Sequence, residues 1–137
     1  MNDKQILQPA GWATPRGYAN GVAAQGRQVY VAGQIGWNER CEFDSDDFIA
    51  QVRQALLNVR AVLAEAGAAP GHIVRMTWYL VDKREYLARG REVGQAYREV
   101  MGGEYGIAMS AVQVSALMED RAKVEIEVTA VVPGGVQ

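Results

Sequence analysis

The sequence predicts an α+β fold whose elements follow the order β-β-α-β-α-β-β. Segments with apolar residues at every third or fourth position alternate with segments in which every second residue is apolar. These are the periodicities of amphipathic helices and of half-buried strands. Gly and Pro punctuate the chain at short intervals, as in a compact mixed fold. At 137 residues the chain has the length of one domain with a substantial core, so we expect a single domain over residues 1–137.

The first two strands are predicted within the segment NGVAAQGRQVYVAGQIGW. A turn signal at Gln25 and Gly26 precedes a run of β-favouring residues, Val29, Tyr30, Val31 and Ile35. We therefore expect a hairpin here. Only the two ends of the chain look loose.

The first helix is predicted to begin after Asp46. Apolar residues recur there at helical spacing, at Phe48, Val52, Leu56, Val59 and Leu63. Acidic residues precede this run, whereas Gly67 and Pro70 follow it, as expected at the two ends of a helix.

A strand and a second helix come next. HIVRMTWYLVD alternates, with Val74, Met76, Trp78 and Leu80 on one face and Arg75, Thr77 and Tyr79 on the other. Asp82 and Glu85 then fit a capping box. After them, apolar residues recur at helical spacing, so a second helix is predicted that ends at Gly102-Gly103. Its apolar residues are Leu87, Val93, Tyr97, Val100 and Met101.

The last two strands are predicted in AMSAVQVSAL and AKVEIEVTAVV. Both segments alternate, and the polar bend MEDR joins them, so we expect a closing hairpin.

Two helices can cover only one face of such a mixed sheet, so the other face meets solvent or another subunit. We assign to this bare face the alternating residues Lys123, Glu125, Glu127, Thr129 and Val131 of the last strand, and Met109, Ala111, Gln113 and Ser115 of the strand before it. The first set is too polar for a core, and the second carries too little charge for a solvated face. We expect a partly buried interface between subunits.

Composition excludes several classes of function. With 14 Lys and Arg against 16 Asp and Glu, the chain has no basic field for nucleic-acid binding. The single cysteine, Cys41, cannot form an internal disulfide, and MNDKQILQPAG lacks the apolar run of a signal peptide. No apolar segment approaches the roughly 20 residues of a membrane helix. We expect a cytoplasmic protein without membrane or nucleic-acid partners.

Three blocks of sequence resemble the RidA/YjgF family of enamine and imine deaminases, also described as L-PSP endoribonuclease-like. They are VYVAGQIGWN, QVRQALLNVRAVLAEAGAAPGHIVRMTWYLVD, and AMSAVQVSAL followed by AKVEIEVTAVV. The likeness spans roughly residues 18–132. It implies a chorismate-mutase-like fold with two helices on one face of a mixed sheet. It also implies a homotrimeric barrel with a small-molecule substrate in each intersubunit cleft, and hydrolysis of 2-imino acids without metal or organic cofactor.

The resemblance also implies site residues. The family's last-strand glutamate matches Glu125 and its N-terminal tyrosine matches Tyr18, both as catalytic residues. The glycine whose amide faces the substrate carboxylate matches Gly33, and Gln34 follows it as expected. The family's polar positions differ in this chain: the carboxylate-clamping arginine of P-A-R-S falls on Met109, the cysteine on Ala111, the serine on Ala32 and the asparagine on Gly94.

Met109 cannot replace the arginine of the family pattern. A guanidinium holds a carboxylate through directional, charge-assisted hydrogen bonds, whereas a thioether is only a weak acceptor. Methionine instead supplies a polarisable apolar wall. We therefore expect a wider, less polar pocket and a substrate other than 2-iminopropionate. Trp37 and Trp78 are candidates to line or support it.

Each candidate residue has a plainer interpretation. Glu125 is otherwise a solvated strand acid, and Glu127, two residues on, is the alternative site acid. Tyr18 is otherwise a surface aromatic, and Gly33 a strand glycine that allows a bulge. His72 lacks the partners of a metal ligand, so no metal site is expected, and Cys41 lies in a polar loop where a nucleophile role is disfavoured.

The sequence leaves three alternative functions to compare. The first is a deaminase of an enamine or imine larger than 2-iminopropionate, in which burial of Glu125 would suit it to acid-base chemistry. The second is a trimeric protein that binds a small metabolite without chemistry. The third is a ribonuclease, which the acidic balance and the lack of a histidine pair disfavour.

Overall fold

The computed structural model describes residues 4–134 and has an α+β fold with a mixed sheet, as predicted. The elements are β1 (Gln5–Leu7), β2 (Gly21–Ala23), β3 (Arg27–Ile35), α1 (Phe48–Glu65), β4 (Ile73–Leu80), α2 (Lys83–Ala88), α3 (Gly90–Met101), β5 (Ala108–Gln113) and β6 (Val124–Val132). A short 3₁₀ turn, Pro70–His72, precedes β4. The sequence did not predict β1.

Strands β3 to β6 form a four-stranded sheet in the order β3-β6-β4-β5. β6 pairs antiparallel with β3 and with β4, whereas β4 pairs parallel with β5. β1 and β2 form a separate antiparallel pair. The longest strands therefore lie side by side, and the short β5 lies at an edge.

Both predicted hairpins are wrong. β2 pairs with β1 rather than with β3, and β5 pairs with β4 rather than with β6. The chain instead returns across the sheet and inserts β6 between β3 and β4. The physical reason is burial: β6 alternates between buried and half-buried residues along its whole length, whereas four of the six residues of β5 are exposed. The more apolar strand takes the central position.

Helix α1 covers one face of this sheet. The Asp47 carboxylate caps it by accepting a hydrogen bond from the Ala50 amide at 3.0 Å. This bond and the Arg89 guanidinium hold the pKa of Asp47 below its usual value. The predicted apolar stripe is confirmed, since its members are all buried: Phe48, Val52, Leu56, Val59 and Leu63.

The second predicted helix is two helices, α2 and α3, which meet at Arg89. Asp82 caps α2, but its carboxylate accepts from the Arg84 amide, one residue earlier than a capping box requires. Val93, Tyr97, Val100 and Met101 of α3 are buried as predicted. Leu87, which the same periodicity placed inside, is 68% exposed because the chain breaks before α3.

The face of the sheet away from the helices carries the polar residues of β4 and β6. Ile126, Val128 and Ala130 face the core, while Glu125 and Glu127 between them are half-buried. On β4, Thr77 lies opposite Glu127 and Tyr79 lies opposite Glu125. The predicted bare-face residues of the last strand are thus confirmed for Glu125, Glu127 and Thr129 of β6.

The predicted orientation of β5 is wrong. Met109 pairs with the buried Met76, and Ala111 pairs with the buried Trp78. Because directly paired residues point to the same face, Met109, Ala111 and Gln113 lie on the helix-covered side. Alternation along one strand separates its residues into two sets but does not show which set faces the helices. That assignment depends on the register with β4.

No helix within residues 4–134 combines the length and the apolar character needed to cross a membrane.

The helix-sheet packing predicts unequal effects of one substitution at two positions of α1. Val59 is fully buried and Val62 is 40% exposed. Val59→Ala removes buried methyl groups and leaves a cavity, so it should lower the free energy of unfolding by about 2 kcal/mol. Val62→Ala should change it by less than about 0.5 kcal/mol. Urea unfolding followed by circular dichroism measures both. Equal losses would contradict the packing described for α1.

Candidate functional site

A cleft of about 650 Å³ opens between the helices and the edge of the sheet. The floor is β5, one side is formed by α2 and α3, and the segment before β2 closes the other side. The lining residues are Arg16, Gly17, Tyr18, Trp78, Tyr86, Gly90, Val93, Gly94, Tyr97, Tyr105, Met109, Ser110 and Ala111. A volume of this size is typical of small-molecule sites.

Five of the thirteen described residues that line the cleft are aromatic. The Trp78 and Tyr86 rings meet edge to face with centroids 5.9 Å apart, and the Tyr97 and Tyr105 rings stack at 5.2 Å. The Tyr97 hydroxyl donates to the Glu104 carbonyl at 2.6 Å. Burial raises the pKa of Tyr97 and of Tyr86, so both phenols are neutral at physiological pH. The wall is therefore apolar and uncharged.

Tyr18 is fixed beside β5 by its neighbour in the chain. The Ala19 amide donates to the Ile107 carbonyl at 2.8 Å, and Ala19 forms a parallel bridge with Ala108. Gly17 has a φ of 77°, a left-handed conformation that suits glycine. The turn at Gly17 and the bridge at Ala19 place Tyr18 at the mouth of the cleft that Met109 also lines.

Glu125 and Gly33 lie together on the bare face of the sheet. A Cβ atom added to Gly33 would lie only 2.7 Å from the Glu125 carboxyl carbon, so the carboxylate rests directly against the glycine backbone. The β3–β6 register shifts between Val31 and Gln34, a bulge that contains Gly33. Gly33 is therefore needed to make room for the carboxylate.

The two acids of β6 have different surroundings. Glu127 accepts a hydrogen bond from the Tyr79 hydroxyl, which raises the pKa of Tyr79. Within residues 4–134 the Glu125 carboxylate has no hydrogen-bond or ion-pair partner. Glu127 is engaged within its own chain, whereas Glu125 remains available to a ligand.

The structure thus divides the predicted site residues into two groups. Tyr18, Gly94, Met109 and Ala111 come together in the cleft on the helix side. Gly33 and Glu125 come together on the bare face.

Ala32 lies on the bare-face side of the sheet, in a second concavity of about 420 Å³ that Arg75 and Glu127 also line. The sheet separates this concavity and the Glu125–Gly33 pair from the cleft within one chain.

Two arginines near the cleft were missed by the sequence analysis. Within residues 4–134, Arg16 is the one charged residue among those that line it. Arg98 reaches its edge, since a Cβ added to Gly94 would lie 3.4 Å from Arg98 Nη1. The spacing of Gly94 and Arg98, one helical turn apart, is a signal that sequence could have supplied for Arg98. Nothing in the sequence indicates that Arg16 folds against β5.

The remaining candidates have structural surroundings. Trp78 lines the cleft, whereas the Trp37 ring packs against Phe43 with centroids 5.8 Å apart. His72 accepts a hydrogen bond from the Ala69 amide through Nδ1 at 3.0 Å. Cys41 is exposed in the loop before α1 and has a φ of 60°.

Comparison with known proteins identifies similar sequences and folds. The sequence profile of the family described as Endoribonuclease L-PSP matches residues 11–132. A 2-iminobutanoate/2-iminopropanoate deaminase of Salmonella typhimurium is 34% identical over 117 residues, which cover 83% of this chain and 86% of the relative.

Solved structures show the same architecture. A protein of the conserved Rid family, YyfB from Yersinia pestis, is similar with a TM-score of 0.83 and 31% identity, covering 95% of this chain and 99% of that one. TdcF of Escherichia coli with bound serine is similar with a TM-score of 0.66 and 30% identity, covering 93% and 98%.

The close approach at Gly33 predicts a contrast between two glycine substitutions. Gly33→Ala meets the movable end of the Glu125 side chain, so it should displace that carboxylate while costing about 1 kcal/mol or less of stability. Gly36→Ala meets the Gln51 Cα at 2.7 Å, in the backbone of α1, and should cost about 3 kcal/mol. Urea unfolding gives both values, and a crystal structure of Gly33→Ala locates Glu125. An unmoved carboxylate in that structure would refute the role assigned to Gly33.

Proposed function

Because the chain belongs to the RidA/YjgF family, we propose that it is a cofactor-independent deaminase that hydrolyses an enamine or imine. The site is a cleft between the subunits of a homotrimer. The observation that carries this proposal is the Glu125 carboxylate, which lies against the Gly33 backbone and has no partner within residues 4–134. The deaminase relative from Salmonella typhimurium supports the type of reaction.

The division of the site residues supports a site shared between subunits, and the number of three is the assembly that the family resemblance implies. In one chain the sheet stands between the Glu125–Gly33 pair and the cleft that contains Tyr18 and Met109. A second copy that covers the bare face would bring its own cleft edge toward Glu125. A neighbouring subunit therefore completes each site, and three such contacts close the ring.

The reaction consumes one water and releases one ammonia. An enamine first gains a proton at carbon and loses one from nitrogen to become its imine tautomer. Glu125 orients a water molecule and accepts one of its protons while the oxygen bonds to the imine carbon, and this proton passes to the nitrogen to give a carbinolamine. The nitrogen then gains a second proton as the hydroxyl loses its own through Glu125, the carbon–nitrogen bond breaks, and ammonia leaves as the carbonyl forms. Tyr18 donates a hydrogen bond to the substrate, and the Gly33 amide helps to hold a polar end of it.

Met109 sets the specificity in this proposal. Its side chain is half-buried against the core, where it adds to the apolar wall rather than offering a charge to a carboxylate. Ala32, Ala111 and Gly94 likewise offer no polar side chain. A compact substrate such as 2-iminopropionate gains little from such a wall. The preferred substrate is larger and carries an apolar part.

A second candidate function is binding of a small metabolite without chemistry. The similar structure of TdcF with bound serine favours it, as does the apolar character of the cleft around Met109. The free Glu125 carboxylate favours catalysis over binding alone.

Glu125→Gln separates these two functions. The amide keeps the shape of the side chain but cannot accept a proton from water, so kcat should fall about 100-fold or more while ligand affinity stays nearly constant. Glu127→Gln is the matched control on the same strand and face, and it should retain most of the activity. Release of ammonia from a panel of enamines and imines measures both variants. Equal turnover by wild type and Glu125→Gln would exclude Glu125 as the proton acceptor.

Met109→Arg tests the specificity. Wild-type hydrolysis of 2-iminopropionate should be weak or undetectable in a coupled assay, because no guanidinium extends from β5. Met109→Arg should raise kcat/KM for this substrate about tenfold or more, whereas Met109→Leu should not. Wild-type turnover equal to that of an arginine-bearing relative would show that the residue at position 109 does not set specificity.

A further inference from the structure

We propose that the cleft binds an aromatic 2-imino acid or 2-keto acid, with its carboxylate held by Arg16 at the mouth and its ring against the aromatic wall. This inference rests on the proposed function and names the substrate class of the same site. Arg16 would supply, from the segment before β2, the positive charge that β5 lacks at Met109.

The electrostatics of the cleft single out Arg16. Apart from Arg16, the lining residues within 4–134 are uncharged: they are aliphatic, aromatic, glycine, serine and Met109. Within residues 4–134 its guanidinium has no hydrogen-bond or ion-pair partner. An arginine without an acidic partner beside an uncharged wall will attract an anion, and a carboxylate matches its paired donors.

The backbone holds Arg16 in place. Ala19, three residues on, is 4% exposed and is joined to β5 by the hydrogen bond to Ile107 and the bridge to Ala108. The left-handed Gly17 fixes the bend between them. The guanidinium is therefore tethered close to the cleft rather than carried on a long free loop.

Arg98 adds a second positive charge near the cleft. Gly94 lines the cleft, and a Cβ added to it would lie 3.4 Å from Arg98 Nη1, so the guanidinium is close by on α3. Arg16 and Arg98 together place positive charge beside a cleft whose other lining residues within 4–134 are uncharged.

The aromatic wall selects the body of the ligand. Trp78 and Tyr86, together with the stacked Tyr97 and Tyr105, offer ring faces and edges to an aromatic group. A cleft of about 650 Å³ is far larger than a three-carbon acid requires. Burying a phenyl ring here strengthens binding about tenfold or more relative to a methyl group.

Isothermal titration calorimetry with three stable probes tests the proposal. Phenylpyruvate carries both the ring and the carboxylate, phenylacetone lacks the carboxylate, and pyruvate lacks the ring. Phenylpyruvate should bind at least about tenfold more tightly than either of the others. Arg16→Ala should weaken phenylpyruvate about tenfold and leave phenylacetone unchanged, while Arg16→Lys should lie between. Arg98→Ala should add a smaller loss in the double variant.

Arg40→Ala is the matched control, because Arg40 is equally cationic, has a side chain that is 66% exposed and does not line the cleft. It should leave all three affinities unchanged. Equal losses in Arg16→Ala and Arg40→Ala, or an equal loss for phenylacetone, would overturn the proposal. Pyruvate binding as tightly as phenylpyruvate would do the same. The titration needs no turnover, so a catalytically inert protein that still shows this pattern refutes only the deaminase proposal.

Discussion

The position of β6 in the middle of the sheet is the constraint on which the rest of the structure depends. Its alternate residues Ile126, Val128 and Ala130 are buried under the helices, and this burial fixes Glu125 and Glu127 on the other face. A shift of one residue in register would bury both acids without partners, at a cost of several kcal/mol each. The apolar core thereby determines where the acidic groups are found.

Much of the fold could be predicted because its elements have strong periodicity. The stripe on α1 and the alternation in β4 and β6 are local signals, and the faces they describe are buried except at Val74, which is half-buried while Ile73 takes the buried position at a register shift. The pairing of strands could not be predicted in the same way. Strands that are close in sequence often form hairpins. Which strand lies at the centre of the sheet, however, depends on how much apolar surface each strand buries, and this involves strands far apart in sequence. The break at Arg89 also escaped notice, since Leu87 continues the helical spacing.

The site was predictable in its parts but not in its arrangement. The family pattern identified Tyr18, Met109, Ala111 and Gly94, and the structure gathers these in one cleft. It also identified Gly33 and Glu125, which contact each other on the opposite face. Pattern matching carries no information about faces, so it could not show that the sheet lies between the two groups.

The predicted match of Met109 to the family's carboxylate-binding arginine has a different consequence once Arg16 and Arg98 are considered. Substitution by Met109 alone would describe a site that has lost its affinity for anions. In the folded chain, however, Arg16 lines the cleft and Arg98 lies beside Gly94, so positive charge is supplied by a turn and by a helix instead of by the strand. With the positive charge at Arg16 rather than on β5, and with an apolar floor at Met109, a bound carboxylate lies farther from the end of the cleft. Such a rearrangement favours longer ligands over shorter ones without removing the need for a carboxylate. In the proposed mode of binding, specificity in this cleft depends on where the cation is attached to the fold, and the identity of residue 109 is only one part of it.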